Sequence, residues 1–235
     1  MSELAENYKK NYSKSHKLTI HEYDIPFQAI NKYIKRFPAD SFILDAGCGN
    51  GRYAKQLLRK RYSNIYAVDI FLNEFENISF AKASIDDLPH ENNKFDFIYC
   101  LSVIHYLENI EKGINELERI LKPNGILLFT AFNRFSIYAI IRRIKKKLKL
   151  DNKYSLNKLT FLSSSQYKKI LRNNGFEIIE INGYLLPQYT QLLNYLEFRG
   201  CNTRLAPKIN LSNNKLISGL KADFGYHTIF IVKKK

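Results

Sequence analysis

Past residue 40, short apolar runs alternate with stretches in which apolar residues recur at helical spacing. The runs "SFILDAG", "NIYAVDI", "ENISFAKAS", "KFDFIYCLS" and "GILLFTAF" are bounded by turn formers and predict buried strands. In "EKGINELERILK", Ile114, Leu117 and Leu121 fall on one helical face. Pro123-Asn124-Gly125 then ends that helix and turns the chain. Residues 161–184 add one more unit. It has serines suited to an N-cap, a helix with Tyr167, Ile170 and Leu171 inward, a stop at Asn174-Gly175, and a strand from Phe176 to Ile181. "YHTIFIVKK" predicts the last strand. Strand and helix in alternation imply parallel strands with right-handed crossovers. Two stretches, roughly 133–160 and 185–224, do not share the pattern. The first forty residues read as mostly helical and amphipathic.

Composition narrows the picture. With 235 residues, 45% of them hydrophobic, the chain can bury a sizeable core. No apolar run approaches the roughly 20 residues a membrane span needs. "MSELAENYKK" is too polar for a signal peptide. Cys48, Cys100 and Cys201 are scattered and form no zinc-type pair, so no metal is expected and a reducing, cytoplasmic home is the simplest. The net charge of +15 favours anionic partners such as RNA, acidic lipid or phosphorylated small molecules. A general richness in Lys, Asn, Ile and Tyr offers a plain compositional account of the same charge.

The stretch "ILDAGCGNGRY" carries the chemistry. Glycine turns where other residues clash and lets a ligand lie against the backbone. A glycine loop between strand and helix also aims N–H groups and the positive end of the helix dipole at a ligand. The dinucleotide pattern G-x-G-x-x-G fails, because Arg52 takes its last place, and a phosphate loop would need Gly-Lys-Ser/Thr. The pattern is instead D-x-G-x-G-x-G, with a second acid, Asp69, closing the next strand. An acid there can take both ribose hydroxyls of an adenosine. A ligand with adenosine at one end and an amino-acid group at the other fits this variant.

"LDAGCGNG", "VDI", "LPHENNKFDFIYCLSVIHYL" and "ILKPNGILLF" together resemble the class I S-adenosylmethionine-dependent methyltransferases, methyltransferase type 11-like, over about residues 40–132 and more loosely 161–184 and 226–233. The resemblance implies an α/β fold: a three-layer Rossmann-like sandwich on a seven-stranded, mostly parallel sheet with its last strand antiparallel. It implies S-adenosyl-L-methionine as methyl donor. Carried across, Asp45 would sit below the loop near the donor's amino group. Gly47, Cys48, Gly49 and Gly51 would line its methionine part and ribose. Asp69 would hold the ribose hydroxyls, and Ile70 would pack on adenine. Ser84 and Ile85 stand where the family often has an Asp and a small residue facing the adenine amino group, and Asp86 and Asp87 are close enough to substitute. Leu101 would flank the methionine part.

Methyl transfer from sulfonium is an in-line displacement in which proximity does much of the work. Where a base is needed, His105 is the candidate, since its pKa range suits proton removal. Tyr106 and Phe132 are candidate substrate contacts, with Tyr12, His16 and His21 in an N-terminal lid. The Asn/Asp-Pro-Pro-Tyr motif of exocyclic-amine methylation is absent after the fourth strand. Cys100 there lacks a neighbouring proline and reads as a small buried hydrophobe.

The expected organisation is a single domain over 1–235: a helical lid (1–40), a donor-binding core (41–132), and insertions 133–160 and 185–224 that cap the active-site edge. Phe132, Phe135, Tyr138, Leu185, Tyr189, Leu192 and Tyr195 suit an apolar acceptor there. "SIYAIIRRIKKKLKL" places Ile137, Ile140, Ile141, Ile144 and Leu148 on one helical face, with basic residues filling the rest. Residues 137–149 can lie on an anionic membrane, track RNA phosphates, or pack as a cap helix with lysines in water. The leading expectation is O- or C-methylation of a small, apolar or membrane-associated acceptor. The alternatives are an RNA methyltransferase of the tRNA wobble-uridine type and a binding subunit on the same fold that has lost chemistry.

Overall fold

The computed structural model describes residues 25–71, 75–148, 159–184 and 227–235. In chain order they form α1 (Ile25–Ile34), β1 (Phe42–Ala46), α2 (Arg52–Arg59), β2 (Asn64–Asp69), β3 (Ser79–Lys82) and β4 (Phe95–Cys100). A 3-10 turn at Ile104–Tyr106 precedes α3 (Ile110–Ile120), β5 (Leu121–Phe132), α4 (Ile137–Lys147), α5 (Ser164–Asn173), β6 (Phe176–Tyr184) and β7 (His227–Lys234). The strands lie in the order β3-β2-β1-β4-β5-β7-β6. All run parallel except β7, which is antiparallel to both neighbours, as expected.

A parallel sheet needs both faces covered, and two buried clusters show how this chain does it. Along β1, Leu44 and Ala46 enter one cluster with Ile114 and Leu117 of α3 and Tyr167 and Leu171 of α5. Ile43 enters the other, with Ile30 and Ile34 of α1 and Ala54 and Leu57 of α2. The apolar spacing of α1 is thus satisfied on the sheet face, and Lys32 ties it to β6 through Glu180 at 2.7 Å. Residues 1–24, including Tyr12, His16 and His21, lie outside the described residues.

Capping sets the helix starts. Ser163 and Gln166 exchange the reciprocal bonds of a capping box at α5, and Asn109 accepts from the Lys112 N–H at α3. Arg119 binds the "LPH" loop by donating to the carbonyls of Leu88 and His90, at 3.0 and 2.8 Å, and to Glu116. That part of the motif is anchored to α3.

One boundary differs from expectation. Leu121 is not on the helix face; α3 stops at Ile120, and Leu121 already pairs with Phe95 in β5. The next pair is Phe97 with Ile126, so Lys122 to Gly125 loop out of the ladder, with Asn124 at φ 65°. The residue before a proline is pushed out of the helical region, and Pro123 has no N–H for the ladder. The turn therefore sits inside the strand.

At the centre, Phe129 on β5 stacks on Phe230 of β7 at 4.8 Å, both fully buried. Phe129→Ala is expected to lower unfolding free energy by about 3–5 kcal/mol, measured by urea denaturation; a loss below about 1 kcal/mol would contradict this packing.

Candidate functional site

Between Ala46 and Arg52 the chain must leave a strand and enter a helix within a few residues. Gly47, Gly49 and Gly51 do this at φ 80°, 54° and 69°, in the left-handed region. A Cβ on Gly47 would strike the side chain of Val103, and one on Gly51 would lie 2.6 Å from Phe75 Cε1. The close approach these two positions allow is to the protein's own chain. The amides are engaged as well. Gly47 and Cys48 N–H both donate to the Val68 carbonyl, at 2.7 and 3.0 Å, and Gly51 N–H donates to Cys48 O at 2.9 Å. Gly49 N–H donates to Asp69 Oδ2 at 2.8 Å. The expectation of N–H groups aimed at a ligand therefore fails at these four positions: the loop is folded back onto β2, and no phosphate cradle can be made from them.

Asp69 stands at the tip of β2, partly buried. Besides Gly49, it accepts from the Phe71 N–H at 3.1 Å. Burial raises its pKa, and the Gly49, Phe71 and Ile70 amides oppose the rise. Beside it Ile70 is 55% exposed. Asp45 lies deeper, 2% exposed, directly opposite Tyr99 in the β1–β4 register. Burial pushes its carboxyl up to about 7, the Tyr99 hydroxyl pulling it down and the charge of Asp69 adding to the rise. Its Oδ2 has no hydrogen-bond partner.

The other named positions divide by burial. Cys48 and Ile85 are buried in the two core clusters. Burial pushes the Cys48 thiol up, away from thiolate chemistry. Ser84 begins a turn closed by the Asp87 N–H, and its hydroxyl donates to Asp86. Leu101 is half-buried after β4.

His105, in the 3-10 turn, is 1% exposed. Its ring lies 4.0 Å from Phe132, 4.6 Å from Tyr106 and 5.7 Å from His227. Burial first, then His227, holds its imidazole well below the ordinary value, so it is neutral at physiological pH. Phe132 is buried, and Tyr106 is 37% exposed. Leu185, Tyr189, Leu192 and Tyr195 lie outside the described residues, as does Cys201. Tyr138 falls within α4.

Several residues at this edge carry no local signal in the sequence. Val103 and Phe75 meet the glycines only through the fold. Ser102, at φ 60°, donates its N–H to Thr130 Oγ1 at 2.8 Å, joining the ends of β4 and β5. His227 arrives because an antiparallel β7 must begin where its parallel neighbours end. Tyr99 was within reach: the same-face alternation of "FDFIYC" beside "FILDA" sets it against Asp45.

Comparison with known proteins agrees with this geometry. A family model described as a methyltransferase domain matches residues 19–181. The chain is 30% identical over 156 residues to a ubiquinone biosynthesis O-methyltransferase of Rickettsia canadensis, covering 61% of this chain and 65% of that protein. It thus spans just under two thirds of that relative. Among solved structures, a SAM-dependent methyltransferase of Thermotoga maritima, described as a possible histamine N-methyltransferase, superposes with TM-score 0.64 at 17% identity over the whole of both chains. A Haemonchus contortus phosphoethanolamine N-methyltransferase 2 in complex with S-adenosyl-L-methionine gives 0.62 at 18% identity, covering 88% of this chain and 52% of that one. At such identities the structural likeness speaks for the fold, while the family model extends over well more than half of the sequence: the chain belongs to the methyltransferase-domain family.

Proposed function

We propose that this protein transfers a methyl group from S-adenosylmethionine to an oxygen or carbon of a small apolar acceptor. The observation that carries the reading is Asp69. Backbone amides of its own loop fix its carboxylate at the tip of β2, where its remaining acceptor capacity suits a pair of neighbouring hydroxyls, with exposed Ile70 beside it to meet a flat base. Asp45 suits the other end of such a donor, because a buried carboxylate with an unpaired oxygen is stabilised by a nearby cation. A loop whose amides are already consumed suits a ligand without phosphates.

The donor, when bound, supplies a methyl already activated on sulfonium. The protein's own part is alignment and exclusion of water. His105 is the candidate base by its position after β4; burial holds its imidazole neutral and also lowers its basicity. Tyr106 and Phe132, packed on it, are the candidate acceptor contacts. The segments 133–160 and 185–224 leave the same edge and are assigned to the acceptor roof. The Rickettsia relative makes an O-methyl acceptor of ubiquinone biosynthesis the first class to assay.

Calorimetry with S-adenosylmethionine is expected to show binding, weakened about tenfold to a hundredfold in Asp69→Ala by loss of charge-assisted hydrogen bonds. Absence of heat and of any thermal shift in the parent protein would favour a binding subunit instead.

Asp45 supplies a second check. Its folded value of about 7 stands above the ordinary 3.8, so the folded state holds a proton the unfolded chain has lost. Stability is therefore expected to fall as pH rises from about 4 to about 7 and to level off above, with no such slope from this site in Asp45→Asn. A cationic donor group nearby favours the ionised form, so binding near pH 7 should release protons, read from heats in buffers of different ionisation enthalpy. An unchanged release in Asp45→Asn would remove Asp45 from the donor site.

A further inference from the structure

The net charge of this chain is not evenly spread. Between Arg119 and Arg172 lie 14 of its 37 Lys and Arg and, in Asp151, a single one of its 22 acids. About a quarter of the sequence therefore holds +13 of the net +15, and the remainder is nearly neutral. A general bias of composition does not produce that pattern. The centre of the segment is α4.

α4 is fastened by one side. Ser136, fully buried, accepts from the Ala139 N–H at 3.1 Å as the helix begins, and Ala139 is 2% exposed. The other side is turned outward. Ile140, Ile141, Ile144 and Leu148 are 43%, 46%, 52% and 59% exposed. At about 100° per residue they share one stripe, roughly a third of the circumference. Arg142, Arg143, Lys145, Lys146 and Lys147 occupy the remaining positions. Scattered exposed leucines need no account, but four large aliphatic side chains in one row mark an interaction surface.

The chemistry of the row selects its partner. Nucleic-acid phosphates would satisfy the charge and leave the aliphatic stripe in water. An anionic bilayer satisfies both, with acyl chains for the stripe and lipid phosphates for the cations. No described helix is long and apolar enough to cross a membrane, so the contact is one of lying on the surface. We propose that α4 docks this protein on an anionic bilayer, with Ile140, Ile141, Ile144 and Leu148 at the boundary of headgroups and acyl chains. α4 follows the carboxyl end of β5, the edge that also carries Gly47–Gly51 and Asp69. Docking rests on the methyltransferase proposal only for its consequence, that an apolar acceptor can be drawn from the lipid at that edge.

The test is co-sedimentation of the full chain with phosphatidylcholine vesicles, with and without one third phosphatidylglycerol. Binding is expected to the anionic vesicles and to weaken with salt. The double variant Ile140→Asn, Ile144→Asn, whose side chains are exposed, should melt like the parent and bind about tenfold or more weaker through lost apolar burial. Lys145→Glu, Lys146→Glu, Lys147→Glu should weaken binding about fiftyfold or more. Failure of the parent to bind, or unchanged binding by the isoleucine variant, would overturn the proposal. So would tighter binding to tRNA that the isoleucine variant leaves untouched, which would assign the surface to RNA. Donor affinity is expected to be the same in all these proteins. Loss of donor binding with vesicle binding intact would sink the methyltransferase reading alone.

Discussion

The tip of β2 holds the tip of β1. One carbonyl, that of Val68, accepts two successive amides of the glycine loop, and one carboxylate, that of Asp69, accepts a third. A chain can turn so tightly back onto its neighbour only through left-handed backbone, and so Gly47, Gly49 and Gly51 recur at every second place. This stitching fixes where α2 starts, where Asp69 faces and how near Val103 can come. It also separates the loop from phosphate-binding relatives of similar appearance, in which the amides remain for the ligand. Here the side chains beside the loop include two acids and an exposed isoleucine.

The edge so formed is rich in ionisable groups held out of water. Asp45, Cys48, His105 and His227 all lie within or beneath it, and for each of them burial is the leading cause of a shift toward the neutral form. A cationic ligand arriving in such surroundings meets low screening and acids ready to ionise.

Much of this was legible in the residues. Alternating apolar runs specified the strands, because burial on both faces leaves them little polar character. The acids and glycines of "LDAGCGNG" announced the loop, since few other sequences make that turn without strain. What escaped were facts of long-range juxtaposition. Nothing near Val103 says that it abuts Gly47, and nothing near Leu121 says that Phe95 will claim it for the sheet. The fate of the loop amides escaped for the same reason, since three of the four find their acceptors about twenty residues away on β2. Buried His105 shows the converse. Its place after β4 was readable, but its enclosure by Phe132 and His227 depends on where two other strands end.

The order β5-β7-β6 has a further consequence for how the molecule is made. Among the described strands β6 has β7 as its sole ladder partner, yet β7 is synthesised more than forty residues after it. During translation β6 must wait with both edges bare, a state open to wrong pairing. β7 completes the sheet by pairing with both β5 and β6. Completion of the sheet therefore waits on residues 227–234, without which β6 has no partner among the described strands.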